Sequence, residues 1–240
     1  MTTAMTTASL RKLTGTLFVI AVVAFLVTST MLSMSFEWPD ILRKDAATVL
    51  TKYHEGGATL TWIWFAVAWS YFLLPFPVLL LRRALDDERD AFPYLDVATT
   101  IGAISVVASL VGFLRWVFVV PGLADMYLAP GATEATKQAV TAAYWAQHQL
   151  AGTLLGEHVS QTLSIIWSLC ISVGMLRSRL FGGWLGIMGI VASILYLLSQ
   201  TEILHTAIPS VPVLPLVGLL GSSLWGVWVL LTGVSLIRAR

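Results

Sequence analysis

Charge is scarce in this chain. Asp, Glu, Lys and Arg make up 11% of its 240 residues, against about a quarter in an average soluble domain. A surface facing water needs roughly 25–35% of such residues, so the chain cannot cover itself with polar groups in water. The few charges nearly cancel, leaving a formal net charge of +1. With no basic run either, a polycationic nucleic-acid binder is excluded. Cysteine is almost missing: the single Cys170 lies in an apolar segment, which rules out a disulfide framework and a thiolate metal site. No repeat of roughly 20–50 residues is visible, and the two halves show no likeness that would support an inverted-repeat transporter. What the chain does have is apolar bulk, with 57% hydrophobic residues, ten Trp and a mean hydropathy of +0.82. Its natural solvent is a bilayer.

About 20 mainly apolar residues cross a hydrocarbon core. Six segments qualify, approximately 14–34, 58–81, 97–120, 150–176, 184–204 and 217–237. The runs are continuous rather than alternating, so each is expected to be a helix. Arg11 and Lys12 precede the first run as they would in a signal peptide. That run exceeds the roughly 7–15 residues of a signal h-region and no A-x-A site follows, so a retained span is expected. The expected fold is all-α, a six-transmembrane-helix bundle forming one integral membrane domain over 1–240.

Lys and Arg set the orientation. Nine of them (Arg11, Lys12, Arg82, Arg83, Arg89, Arg177, Arg179, Arg238 and Arg240) fall on the side of both termini. Four (Arg43, Lys44, Lys52 and Lys137) fall on the other. Both termini are therefore expected to be cytoplasmic, in a bacterial cytoplasmic membrane. The acid-rich 82–96 loop reads as a solvated hairpin.

The external connections carry their own pattern. From Pro39 to Tyr53, apolar Leu42, Ala46, Val49, Leu50 and Tyr53 recur at helical spacing. This predicts a short interfacial helix, anchored by Trp38 and ended by Gly56–Gly57. A second external helix is predicted to start at Thr133 as N-cap and run through Tyr144 and Trp145 into the fourth span, with Gly152 and Gly156 as bending points. The proline-rich segment 208–216 should be extended. Pro75 and Pro77 should kink the second span. Gly218/Ser222/Gly226, Gly182/Gly186 and Gly189/Ser193 are small-residue packing faces.

Ionisable residues inside spans are functional candidates by default. At helical rise, Arg115, Glu157 and Glu202 each lie about 27–28 Å from the cytoplasmic end of their spans, at one level near the outer boundary. His158 adjoins Glu157, and His205 follows Glu202 at the i+3 position. His54 and His148 fall on the same side of the membrane. Arg115 and Glu157 could form a buried ion pair, or Arg115 could snorkel to headgroups while Glu157 meets interfacial water. Thr153, Ser160, Gln161, Ser164 and Ser168 make a polar stripe on the fourth span, equally a pocket wall or an interhelical hydrogen-bonding face.

No cofactor is specified. Glu202-Ile-Leu-His205 has the Glu-x-x-His spacing of di-iron helices, but the second pair and further glutamates are missing. Glu157 and His158 diverge by about 100° on a helix. A metal site from His54, His158 and His205 is open geometrically but has no support in spacing. No helix pair opposes mid-bilayer histidines as a bis-histidine haem would need.

FEWPDILR (Phe36–Arg43), YHEGG (Tyr53–Gly57), LRWVFVVPGLA (Leu114–Ala124) and LGEH (Leu155–His158) follow one another along the chain. In this order and spacing they resemble a bacterial multi-pass membrane family catalogued as domain of unknown function 4386. The resemblance covers most of the chain. It implies a shared fold and a shared site containing Asp40, Arg43, His54, Arg115, Glu157 and His158, but no activity. This chain departs from the family pattern at Val117, where a proline is usual, and at His148, where an asparagine is usual. The second departure argues against a role for His148.

Three functions follow as expectations. In the first, the helices enclose a pocket near the outer face for a membrane lipid or small apolar molecule with one polar end. Arg115, His54, Asp40, Arg43, Glu202, His205, Gln161 and Ser164 would be its ligand-binding positions. In the second, a membrane enzyme (an isomerase, cyclase or hydrolase of a lipid-like substrate) uses Glu157 as general acid or base, His158 as proton relay and Arg115 to stabilise negative charge. In the third, the chain is an accessory subunit that docks a partner protein. Oligomeric state is open. A transporter is least favoured, since no charge lies near the midplane.

Overall fold

The structure is a computed structural model that describes residues 6–214 and 216–239. Arg240 and Pro215, which entered the orientation and loop readings, lie outside the described residues. Six helical segments are long and apolar enough to cross a membrane: Thr7–Phe36, Ala46–Ala84, Leu95–Leu128, Glu134–Arg177, Gly183–His205 and Val217–Arg238. No strand occurs among the described residues. The all-α, six-span architecture read from the sequence is what the protein adopts.

Several spans are built from more than one helix, and the local sequence says why. Helix α1 covers Thr7–Phe36. A single tight turn, Asp40–Arg43, follows it. The next helix, α2 (Ala46–Tyr71), starts after Asp45, whose carboxylate accepts from the Thr48 backbone N–H (3.0 Å) and hydroxyl (2.6 Å). The predicted interfacial helix from Pro39 is thus corrected to a turn plus a capped helix. Gly57 breaks α2 at φ 51°, ψ −145°, a conformation open to glycine, so the break falls at the predicted Gly56–Gly57 pair. Pro75 opens α3 (Pro75–Ala84) after a turn at 72–74, as the predicted kink required. Helix α4 (Leu95–Phe118) passes into α5 (Val120–Leu128), with Pro121 in the first turn of α5. Thr133 caps α6 (Glu134–Gln147) through the Thr136 N–H at 3.2 Å. A wide-turn segment, His148–Val159, continues into α7 (Ser160–Arg177). Helices α8 (Gly183–Leu198), α9 (Gln200–His205) and α10 (Val217–Arg238) complete the chain.

The chain forms two compact units interleaved in sequence. The smaller comprises Val23–Tyr71 and Ala108–Glu157; the larger comprises the first 22 residues, Phe72–Val107 and His158–Arg240. The smaller unit has an aromatic core. Trp64 and Trp116 stack at 4.8 Å and 5°, and Phe36 meets Trp116 edge-on at 5.3 Å. Tyr53 stacks on Trp116 and donates its hydroxyl proton to the Trp116 carbonyl. The apolar face of the 46–56 helix (Ala46, Val49, Leu50 and Tyr53) is therefore buried on protein.

The larger unit packs through small residues. A Cβ on Gly186 would meet the Ser172 carbonyl at 2.7 Å, and one on Gly189 would strike the Trp228 indole and the Ser172 hydroxyl. On α10 the close approaches fall at Gly221 and Gly233, not at the expected Gly226, whose Cβ position is open. The 82–96 segment is tied down more than a solvated hairpin requires. Asp87 takes a bidentate pair from buried Arg11 (2.5 and 2.7 Å), and Arg82 binds Asp96 at 2.6 Å.

Candidate functional site

The wide-turn segment His148–Val159 is the local feature from which the site grows. Such i→i+5 turns are rare and recur at functional positions. Here two glycines permit close approach. A Cβ on Gly156 would lie 2.8 Å from the Gly112 Cα, so the segment and α4 touch backbone to backbone. A Cβ on Gly152 would lie 2.6 Å from the Arg115 guanidinium. The missing side chain at Gly152 is the space that the guanidinium fills.

Arg115 is 6% exposed. Its Nη1 donates to the Gly112 carbonyl one turn back, and its guanidinium lies 5.0 Å from the centre of the Trp116 ring. Its Nε is buried without an acceptor among the described residues. Of the two readings left open for Arg115 and Glu157, the direct ion pair is not found among the described residues. Arg43, carried in by the Asp40–Arg43 turn, holds the Glu157 carboxylate at 2.6 and 3.4 Å. Glu157 and Arg43 act on Arg115 only at longer electrostatic range. The local charge of this group is two guanidiniums against one carboxylate.

Within electrostatic range of Arg115 lie Tyr144 and His148, the second a residue that the sequence argued against. Buried His148 stacks on Tyr144 at 5.3 Å with its Nδ1 3.3 Å from the Tyr144 hydroxyl, and Arg115, Glu157 and Arg43 all act on it electrostatically. The argument from the family's asparagine thus discounted a residue that the fold puts among the charges. Both side-chain amide atoms of Gln147 and the Thr153 hydroxyl are buried with no hydrogen-bond partner among the described residues. Asp40 is exposed on its turn. His54, also exposed, pairs through Nδ1 with Asp125 at 3.0 Å.

The remaining predicted residues belong to the larger unit. His158 Nδ1 lies 2.9 Å from Gln200 Oε1, and Gln200 Nε2 donates to Gln161 Oε1 at 2.6 Å. Glu157 and His158, neighbours in sequence, thus hold partners in different units. Ser164 is buried and its carbonyl accepts from Ser168, whose Oγ accepts from Trp225 Nε1 at 2.7 Å. That part of the polar stripe is an interhelical hydrogen-bonding face. Glu202 is half-buried on α9, and His205 points its Nδ1 at the Val211 carbonyl, 2.8 Å away. Among the described residues no three His, Cys, Asp or Glu side chains gather where they could hold a metal ion.

A family model described as Domain of unknown function (DUF4386) matches residues 13–233. The chain belongs to that family. No curated protein and no solved structure matches it. Every residue of the site described above falls inside the DUF4386 match, including the two glycines that make room for Arg115 and for α4. Of the positions the DUF4386 resemblance implied, Arg43 and Glu157 are joined directly. Tyr144 and His148 were detectable in the sequence as an i, i+4 pair. Gln147 and Gln200 were visible as amides in apolar surroundings. Gly112 and Gly152 gave no signal, because only their partners on other elements make them necessary.

Proposed function

We propose that this multi-pass membrane protein binds a small amphiphile with an anionic end, a lipid-like molecule whose charged group is met by Arg115. The observation that carries this reading is the state of that guanidinium. It is 6% exposed, held by one backbone carbonyl and an indole face, with Nε lacking an acceptor. A charge taken out of water costs several kcal/mol unless it is paired and hydrogen-bonded. Guanidinium pairs best with the two oxygens of a carboxylate or phosphate. Arg43 and Glu157 neutralise each other, so the excess positive charge stays with Arg115.

The enzyme reading draws less support, because both Glu157 oxygens face the Arg43 guanidinium. The test compares mass spectra of small molecules that copurify with the full chain and with Arg115→Met. An anionic amphiphile should fall roughly ten- to hundredfold in the variant, the range of one charge-assisted contact, at an unchanged or higher Tm. Equal amounts in both would overturn the proposal.

We further infer that the protein sits in the cell membrane with both termini cytoplasmic, from the nine-to-four Lys and Arg distribution. A cysteine at Ala132 should then react with an impermeant thiol reagent in intact cells and one at Asp87 should not. The reverse pattern would invert the topology.

A further inference from the structure

A second feature suited to a lipid lies within the larger unit. Helices α3 and α4 leave a groove of about 400 Å³ between Phe72, Pro75, Phe76 and Leu79 on one side and Ala103, Ile104 and Val107 on the other. Its walls are wholly apolar. The groove exists because Pro75 restarts the helix after a turn, and because Ala103 is small where α4 faces it. Phe76, Leu79, Ile104 and Val107 are each about half exposed (51%, 52%, 51% and 51%), within segments long and apolar enough to span a bilayer. Its volume falls in the usual range of about 300–1,000 Å³ for small-molecule sites.

The basic end of α3 supplies the second observation. Arg83 follows Leu79 by four residues and Phe76 by seven, which puts it on the same helix face. It stands about 6 Å further along the axis. Nearby cations are already spoken for: Arg82 binds Asp96 and Arg89 binds Asp86, both at 2.6 Å. Exposed Arg83 has no carboxylate partner among the described residues. An apolar trough ending at an unpaired guanidinium has the chemistry of one anionic phospholipid, with an acyl chain along the helices and a phosphate at their basic end.

We propose that this groove is a binding site for an anionic phospholipid, with an acyl chain lying between α3 and α4 and the headgroup phosphate on Arg83. The test is native mass spectrometry of the full chain in detergent with phosphatidylglycerol or phosphatidylcholine of identical acyl chains. Wild type should retain phosphatidylglycerol in preference. Arg83→Gln should lower that adduct about fivefold, the worth of one basic residue at a lipid surface, and Arg83→Lys should restore most of it. Ala103→Trp, which fills the groove, should lower both adducts. Because Ala103→Trp could disturb folding, a second measurement uses the wild-type chain and phosphatidylglycerol carrying a photoreactive group at the acyl terminus. Labelled peptides should map to 72–79 and 103–107. Arg115→Met should leave the labelling in place, which separates this site from the one proposed above. The inference is overturned by equal retention of the two lipids, by displacement with free glycerol phosphate, or by labels spread evenly over all spans.

Discussion

The two units solve the problem of buried polarity differently. In the larger unit, charged and amide groups find partners inside the fold. Arg11 is held by Asp87 and the Ala84 carbonyl, and His158, Gln200 and Gln161 form a closed chain. The buried side-chain atoms left over there (the Trp167 and Trp228 indole N–H groups and the Ser172 hydroxyl) are neutral. In the smaller unit the leftovers include the Nε of a buried guanidinium and a whole Gln147 amide. A neutral orphan costs about 1–3 kcal/mol and a charged one more. The smaller unit thus carries buried, unsatisfied charge that the larger one lacks, and this difference is what the ligand proposal rests on.

The packing side of the comparison breaks most visibly at Gly112. Its Cβ would lie 2.6 Å from the Gly156 Cα, and backbone cannot move aside as a side chain can. Gly112→Val should cost about 3 kcal/mol, the upper end of overpacking, read as a drop in Tm. Gly226→Val, facing open space, should cost little.

Glu157→Ala comes next. It removes the carboxylate that Arg43 holds, beside buried Arg115. The loss should be about 2 kcal/mol, below the roughly 3–5 of a fully buried pair, since the Arg43 side chain is 30% exposed. Arg115→Met, in contrast, should leave Tm equal or higher while ligand is lost; a Tm drop comparable to that of Glu157→Ala would make the guanidinium structural.

In the larger unit Ser168→Ala should cost about 1 kcal/mol by stranding the Trp225 indole N–H, with no effect on anion binding. Denaturation of the purified variant and a ligand titration would separate the two readouts.

The smallest effect concerns Asp45, whose carboxyl is held below its ordinary value by the Thr48 hydroxyl and backbone N–H. A lowered folded-state value means that the stabilisation is present above the ordinary Asp value of about 4 and is lost as pH falls through the folded value. Asp45→Ala should cost roughly 0.5 kcal/mol, the low end for a helix cap, and should flatten the acid side of the stability profile. Asp45→Asn should keep the cap and lose the pH dependence.

Much of the fold was legible because bilayer physics leaves few solutions. Continuous apolar runs had to be helices, Pro75 had to interrupt one, and Thr133 and Gly57 punctuate theirs by rules that act within a few residues. The extent of the site was less legible. Arg115, Glu157 and Arg43 stood out as charges in an apolar chain, but their pairing did not follow. Depth along a helix axis placed Arg115 and Glu157 at one level, whereas side-chain direction and the Asp40–Arg43 turn gave the carboxylate to Arg43.

The scarcity of charge therefore determined, from sequence alone, that this is a six-helix membrane chain whose few buried ions are its candidate site. Only the tertiary structure decided which ions pair, that Gly152 opens room for Arg115, and that His148 lies within electrostatic reach of it. Composition and periodicity are properties of one strand of chain. Pairing depends on elements far apart in sequence meeting at a few ångströms, and on glycines whose contribution is the absence of a side chain.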